Sequence, residues 1–142
     1  MNINQIIKIL KKTESFRVQT DSFLNTLAFT AEKIEYSTGD LIIKSGEKNI
    51  KCVVILEGKA FIQKKISPIE LKVGSVIGLL SLINNTYPKD ALIAGTKGLA
   101  LVINRELFEK LLHEFPDFKQ SLKSKLISDL NEKVFSLQTV FR

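Results

Sequence analysis

Cysteine and histidine are almost missing from this chain. The one cysteine, Cys52, excludes an intramolecular disulfide and any multi-cysteine zinc or iron–sulfur site. The one histidine, His113, excludes an HExxH metal site and the several strand histidines that a cupin-type metal enzyme requires. Cys52 lies in a β-branched run and reads as a small buried hydrophobe; His113 reads as a surface residue near a helix C-terminus, where positive charge is favoured. No catalytic residue and no metal ligand is expected. Arginine is scarce too. Of 21 basic residues only Arg17, Arg105 and Arg142 are arginine, and the other eighteen are lysine. A net charge of +6 carried on lysine suits a solvated surface better than bidentate phosphate or base recognition. Long apolar runs are missing as well. The most apolar stretch, Val76 to Ile83, falls far short of the roughly 20 residues of a membrane span. Lys8 interrupts the apolar N-terminus and no small-residue cleavage site follows, so no signal peptide is expected. With one cysteine, the expected setting is reduced and cytoplasmic, with no membrane partner. No glycine-rich triphosphate loop or kinase signature occurs.

What is there fits one domain. The 142 residues, 44% apolar and 25% charged, match an ordinary globular chain. Ile3, Ile6, Ile7 and Leu10 fall at helical spacing. Asp21 reads as the N-cap of a second helix carrying Phe23, Leu24, Leu27 and Ala28. From Ala31 the pattern changes to short β-branched runs separated by Gly, Asp and Asn turns, Cys52–Leu56 and Leu99–Ile103 among them. One helical turn, Leu79 to Ile83, interrupts the strands after Gly78. Asn104 caps a helix with Leu107, Phe108, Leu111 and Leu112, and a longer helical pattern follows Pro116. The expected architecture is mainly β with flanking α-helices: a single domain over 1–142, with helices in 1–30, a β-roll or jelly roll in 31–103, and helices in 104–142.

This order of turns and strands resembles the cyclic-nucleotide-binding domain of catabolite activator proteins, protein kinase A regulatory subunits and nucleotide-gated channels. Gly39-Asp40-Leu41-Ile42 and Ser45-Gly46-Glu47 are similar to the family's first two turns. Val53-Val54-Ile55-Leu56-Glu57-Gly58 resembles its central strand, and Gly74-Ser75-Val76-Ile77-Gly78 the approach to its ligand cassette. Leu101 to Phe108 resembles its closing strand and helix. The resemblance covers roughly Phe16 to Pro116 and implies a double-stranded jelly roll with a long C-terminal helix.

It also implies a site. In the family, a helical turn after a glycine aims backbone N–H groups at a cyclic phosphate, an arginine neutralises that phosphate, and a glutamate accepts from the ribose 2′-hydroxyl. The matching stretch here is Gly78, Leu79, Leu80 and Ser81 through Pro88, Lys89, Asp90 and Ala91. Leu79 stands at the glutamate position and Lys89 at the arginine position. Leu79 cannot make a charged hydrogen bond worth roughly 1.5–3 kcal/mol, and Lys89 loses the bidentate fork. Asp90 adds negative charge beside the phosphate or pairs with Lys89. Cyclic AMP and cyclic GMP are therefore not expected to bind tightly in the usual pose. No cofactor is expected, with an unidentified small anionic or nucleotide ligand, or an apolar one against Leu79, left open. Ile127, Leu130, Val134, Leu137 and Phe141 form an a/d seam, which the activator branch uses to dimerise. A homodimer through this helix is expected, with a protein partner as a further expectation. Activators continue into a DNA-reading helix-turn-helix; the chain ends at Arg142, and no DNA-binding domain is expected. The overall expectation is a regulatory or sensor module, or a ligand-free interaction subunit.

Overall fold

Each N-terminal helix begins at a side chain that satisfies its first free N–H groups. In the computed structural model, which describes residues 1–125, α1 (Ile3–Lys12) opens with a reciprocal capping box. The Asn2 Oδ1 accepts from the Gln5 N–H, and the Asn2 N–H donates to the Gln5 Oε1, both at 2.9 Å. Helix α2 (Asp21–Thr30) is capped by Thr20, one residue earlier than the sequence suggests. The extended Thr20 accepts from the Phe23 N–H at 3.2 Å. Asp21 becomes the first helical residue, where its charge faces the positive end of the helix dipole. The two helices bury Ile6, Leu10, Phe23, Leu24, Leu27 and Ala28.

Among the described residues, eight short strands follow. They are β1 (Glu32–Tyr36), β2 (Leu41–Ile43), β3 (Lys51–Glu57), β4 (Ala60–Ile62), β5 (Ile69–Leu71), β6 (Val76–Ile77), β7 (Leu92–Ala94) and β8 (Gly98–Asn104). Helix α3 (Leu79–Asn84) is inserted between β6 and β7, and α4 (Arg105–Glu114) follows β8. Residues 116–125 are again helical. All pairings are antiparallel, in two four-stranded sheets ordered β1-β8-β3-β6 and β2-β7-β4-β5. The fold is thus mainly β with flanking helices, as the sequence implies.

The sheets enclose Tyr36, Ile43, Val53, Ile55, Ala60, Leu92, Ala94, Ala100 and Val102. Along β3 the alternate residues Cys52, Val54 and Leu56 are buried as well, so both faces of that strand are covered. This double burial explains the unbroken β-branched run. The β3–β4 turn needs Gly58. Its φ is +82°, and a Cβ there would lie 2.5 Å from the Lys97 carbonyl oxygen. Tyr36 carries the one hydroxyl among the enclosed side chains, and it donates to the Glu57 carbonyl at 2.6 Å.

The chain divides into two compact units, with the boundary between Phe108 and Glu109. No described helix is long and apolar enough to cross a membrane. The expected seam of Ile127, Leu130, Val134, Leu137 and Phe141 lies outside the described residues.

Candidate functional site

Three segments meet at a cavity of about 160 Å³. The first is the β2–β3 turn, which supplies Glu47 and Ile50 and leads into Lys51. The second is the end of β6 and the start of α3, which supplies Ile77, Gly78 and Ser81. The third is the stretch Pro88–Leu92 leading into β7. Ile43 and Ile62 complete an aliphatic wall.

Local chemistry fixes each segment. Gly78 is the N-cap of α3 with φ +94°, and a Cβ there would sit 2.2 Å from the Lys51 carbonyl oxygen. Only glycine lets α3 start so close to β3. At the other end Asn85 takes a left-handed conformation at φ +53° and closes α3, its N–H donating to the Ser81 carbonyl. Arg105, the first residue of α4, donates to the Leu82 carbonyl at 3.1 Å and satisfies one of the last carbonyls of α3. The β2–β3 turn is tied to the third segment. The Ser45 hydroxyl donates to the Lys89 carbonyl at 2.6 Å, and the Gly46 N–H to the Pro88 carbonyl at 2.7 Å.

The charges in the wall are arranged in pairs. Glu47 Oε1 lies 3.5 Å from Lys51 Nζ, and both side chains are only 24% exposed. Asp90 accepts from Lys64 at 2.5 Å. Of the two alternatives for Asp90 that the sequence left open, the pairing with Lys89 is not the one formed; its partner is Lys64. The residues just beyond β4 run beside those before β7, with the Gln63 N–H on the Ala91 carbonyl at 2.9 Å, and this register brings Lys64 to Asp90. Lys89 is exposed. Glu47 Oε2 is buried and accepts no hydrogen bond; among the described residues it is the one such side-chain oxygen or nitrogen.

Of the residues singled out from the sequence, Gly78, Ser81, Lys89, Asp90 and Ala91 line the cavity together. Leu79 and Leu80 do not. Leu79 is buried at 6% exposure and Leu80 points to solvent at 45%, consistent with successive positions on a helix lying about 100° apart. Sequence reasoning missed Glu47 and Lys51 as wall residues. Their signal was present in the Ser45-Gly46-Glu47 turn followed four residues later by a lysine. Cys52 is buried in β3 and His113 is exposed in the last turn of α4, as the sequence suggests. No cluster of three or more metal-ligating side chains occurs among the described residues.

A solved structure described as "Sp-2Cl-cAMPS bound to PKAR CBD2", a protein kinase A regulatory-subunit domain, superposes with a TM-score of 0.68 over 93% of this chain and 94% of its own. The chain has the cyclic-nucleotide-binding-domain fold. Identity to that structure is 20%, so the likeness is one of fold. No family model and no curated protein matches the sequence. Within the cyclic-nucleotide-binding-domain fold, the insertion of α3 between two strands, unusual for a plain sandwich, falls at the cassette position that the sequence resemblance implies.

Proposed function

We propose that this protein is a non-enzymatic regulatory or sensor module whose cavity does not take cyclic AMP or cyclic GMP in the family's usual pose. The observation that carries this reading is the composition of the cavity wall. Among the described residues it contains no arginine, and its two carboxylates, Glu47 and Asp90, are paired with Lys51 and Lys64. A cyclic phosphate placed there would meet Lys89 at the arginine position, a point charge without the bidentate fork. Helix α3 offers no carboxylate to a ribose, because Leu79 stands at that position and is packed away from the cavity. The cavity volume is also about half the ~300 Å³ at which pockets for drug-sized ligands begin. A regulatory-subunit domain as structural neighbour supports a binding role over a catalytic one.

Calorimetric titration with cyclic AMP and cyclic GMP, paired with melting curves, tests the reading. A ligand at 100 times its Kd stabilises by roughly 2.7 kcal/mol, which a melting curve resolves easily. The expected result is no heat and no shift up to millimolar nucleotide. Micromolar binding overturns the reading.

The second reading, a scaffold or interaction subunit, is favoured by the a/d spacing of Ile127, Leu130, Val134, Leu137 and Phe141. These residues pair two copies of the chain, and a reduced, cytoplasmic setting suits the single cysteine, Cys52. A dimer mass by light scattering at micromolar concentration, reduced to a monomer by Leu130→Glu with Leu137→Glu, is the expected result. A monomeric wild type removes the pairing.

A further inference from the structure

We propose that one end of the sheet β2-β7-β4-β5 is a docking surface for an anionic lipid membrane, with lysine ammonium groups on the headgroups and Ile66 and Tyr87 entering the interface beside them. The inference goes beyond the reading of the cavity and does not depend on what the cavity holds. It needs no membrane-spanning segment, because a charged surface with a small apolar insertion binds a bilayer from one side.

Strand register brings the groups together. Lys44 follows β2, Lys64 and Lys65 follow β4, and Lys89 precedes β7. Ile43 and Ile62 both pair with Leu92, one from each side, so the three segments leave the sheet at the same end. Hydrogen bonds hold them there. The Ser45 hydroxyl donates to the Lys89 carbonyl, the Gly46 N–H to the Pro88 carbonyl, and the Gln63 N–H to the Ala91 carbonyl. Four strands at about 4.8 Å spacing make this row roughly 14 Å wide. Ile66 lies in the loop from β4 to β5, and Tyr87 directly before Pro88. The charge of the row has one sign once its pairs are set aside. Glu47 is held by Lys51, Asp90 by Lys64, and Glu70, within β5, by Lys59. Lys44, Lys48, Lys65 and Lys89 are exposed, and among the described residues none of them is in an ion pair.

These lysines call for an anionic partner, and the apolar residues beside them decide its kind. Ile66 is 99% exposed and Tyr87 59%. Ile66 directly follows Lys64-Lys65, and Tyr87 is two residues before Lys89. A nucleic acid would use the charges and stack on Tyr87, but it gives an aliphatic side chain such as Ile66 no apolar surroundings. A bilayer uses all three. Anionic headgroups meet the lysines, the Tyr87 ring sits at headgroup level with its hydroxyl in water, and Ile66 reaches the acyl boundary. Lysine rather than arginine also suits headgroups, since its long stem follows a soft surface and needs no planar partner.

Vesicle sedimentation of the full chain tests the proposal. Phosphatidylcholine vesicles containing about one third phosphatidylserine are expected to carry the protein down at about 0.1 M salt. Pure phosphatidylcholine vesicles are expected not to, and binding should collapse near 1 M salt, where the Debye length falls to about 3 Å. Each lysine near an anionic surface contributes about fivefold in affinity, so Lys48→Gln with Lys65→Gln should weaken binding about 25-fold. Lys8→Gln with Lys12→Gln removes the same charge from exposed positions of α1 and should weaken it less than about threefold. Ile66→Ser should weaken it about tenfold. Melting curves check that each variant is folded. No sedimentation with the anionic vesicles, or equal sedimentation with both compositions, overturns the proposal, and that comparison needs no variant. Equal losses from the two lysine pairs overturn it as well, since net charge alone would then be acting. So does wild-type binding by Ile66→Ser. Tighter binding to a DNA duplex than to the vesicles at equal phosphate, unchanged by Ile66→Ser, assigns the row to nucleic acid and overturns the membrane.

Discussion

Tyr36 and Glu47 bring polar atoms into apolar surroundings by opposite routes. Tyr36 belongs to the sheet interior, and its hydroxyl is spent on the Glu57 carbonyl at 2.6 Å. Glu47 belongs to the cavity wall, and one of its oxygens is buried and accepts no hydrogen bond. The surroundings overlap, since Ile43 and Leu92 belong both to the enclosed core and to the cavity lining. What differs is whether the fold itself supplies the partner. A polar group that serves structure is satisfied by the chain.

The largest effects should appear where the interior is purely apolar. Ile55 is fully buried between the sheets, and Ile55→Ala should cost about 2–5 kcal/mol in urea unfolding. Tyr36→Phe should cost about 1–3 kcal/mol, because it strands the Glu57 carbonyl. It should also change the response to alkali. Burial, and then the negative charge of Glu57, hold the Tyr36 phenol above its ordinary value of 10.0. With the folded pKa raised, the stability contributed by the neutral phenol is complete below about pH 10 and is lost as pH rises through the raised value. Melting temperatures of wild type should therefore fall more steeply above pH 10 than those of Tyr36→Phe. Parallel slopes would show that Tyr36 is not the titrating group.

Glu47→Gln sharpens the contrast from the other side. If Glu47 were structural in the manner of Tyr36, its loss should cost a similar amount. The expected change is within about 0.5 kcal/mol of wild type in either direction, because the pair with Lys51 is partly exposed and the other oxygen is unsatisfied. A loss above about 1.5 kcal/mol would erase the distinction. Smallest of all is Lys64→Ala. Its pair with Asp90 is about 40% exposed on average, and its removal should cost less than about 1 kcal/mol at low salt and less again at high salt.

The sequence made the frame legible and the cavity only partly so. Glycines at turns and the unbroken run Cys52–Leu56 pointed to the strands because backbone geometry and double burial act locally. Strand β5 was harder to find, since Ile69-Glu70-Leu71 is short and two of its three residues are exposed. The cassette was legible as a stretch of chain, and Gly78, Ser81, Lys89, Asp90 and Ala91 do line one cavity. The orientation of Leu79 was not legible, because it depends on the phase of a single short helix. The Asp90 partner was not either. Lys64 is 26 residues away, and only the pairing of β4 with β7 brings it close. Glu47 came from a turn read as a fold marker, whose side-chain direction is set by contacts 44 residues distant.

That last separation has a bearing on how the chain folds. The Ser45–Lys89 bond closes a loop of 44 residues, and four strands and a helix lie between its ends. Contacts of such long range form late, after local turns and hairpins have offset their entropy. During synthesis, the turn bearing Glu47 leaves the ribosome before Lys89 has emerged to receive it. Protection of the Gly46 amide against hydrogen exchange should then mature after that of the local β4–β5 hairpin, and the cavity takes shape only once distant segments have met.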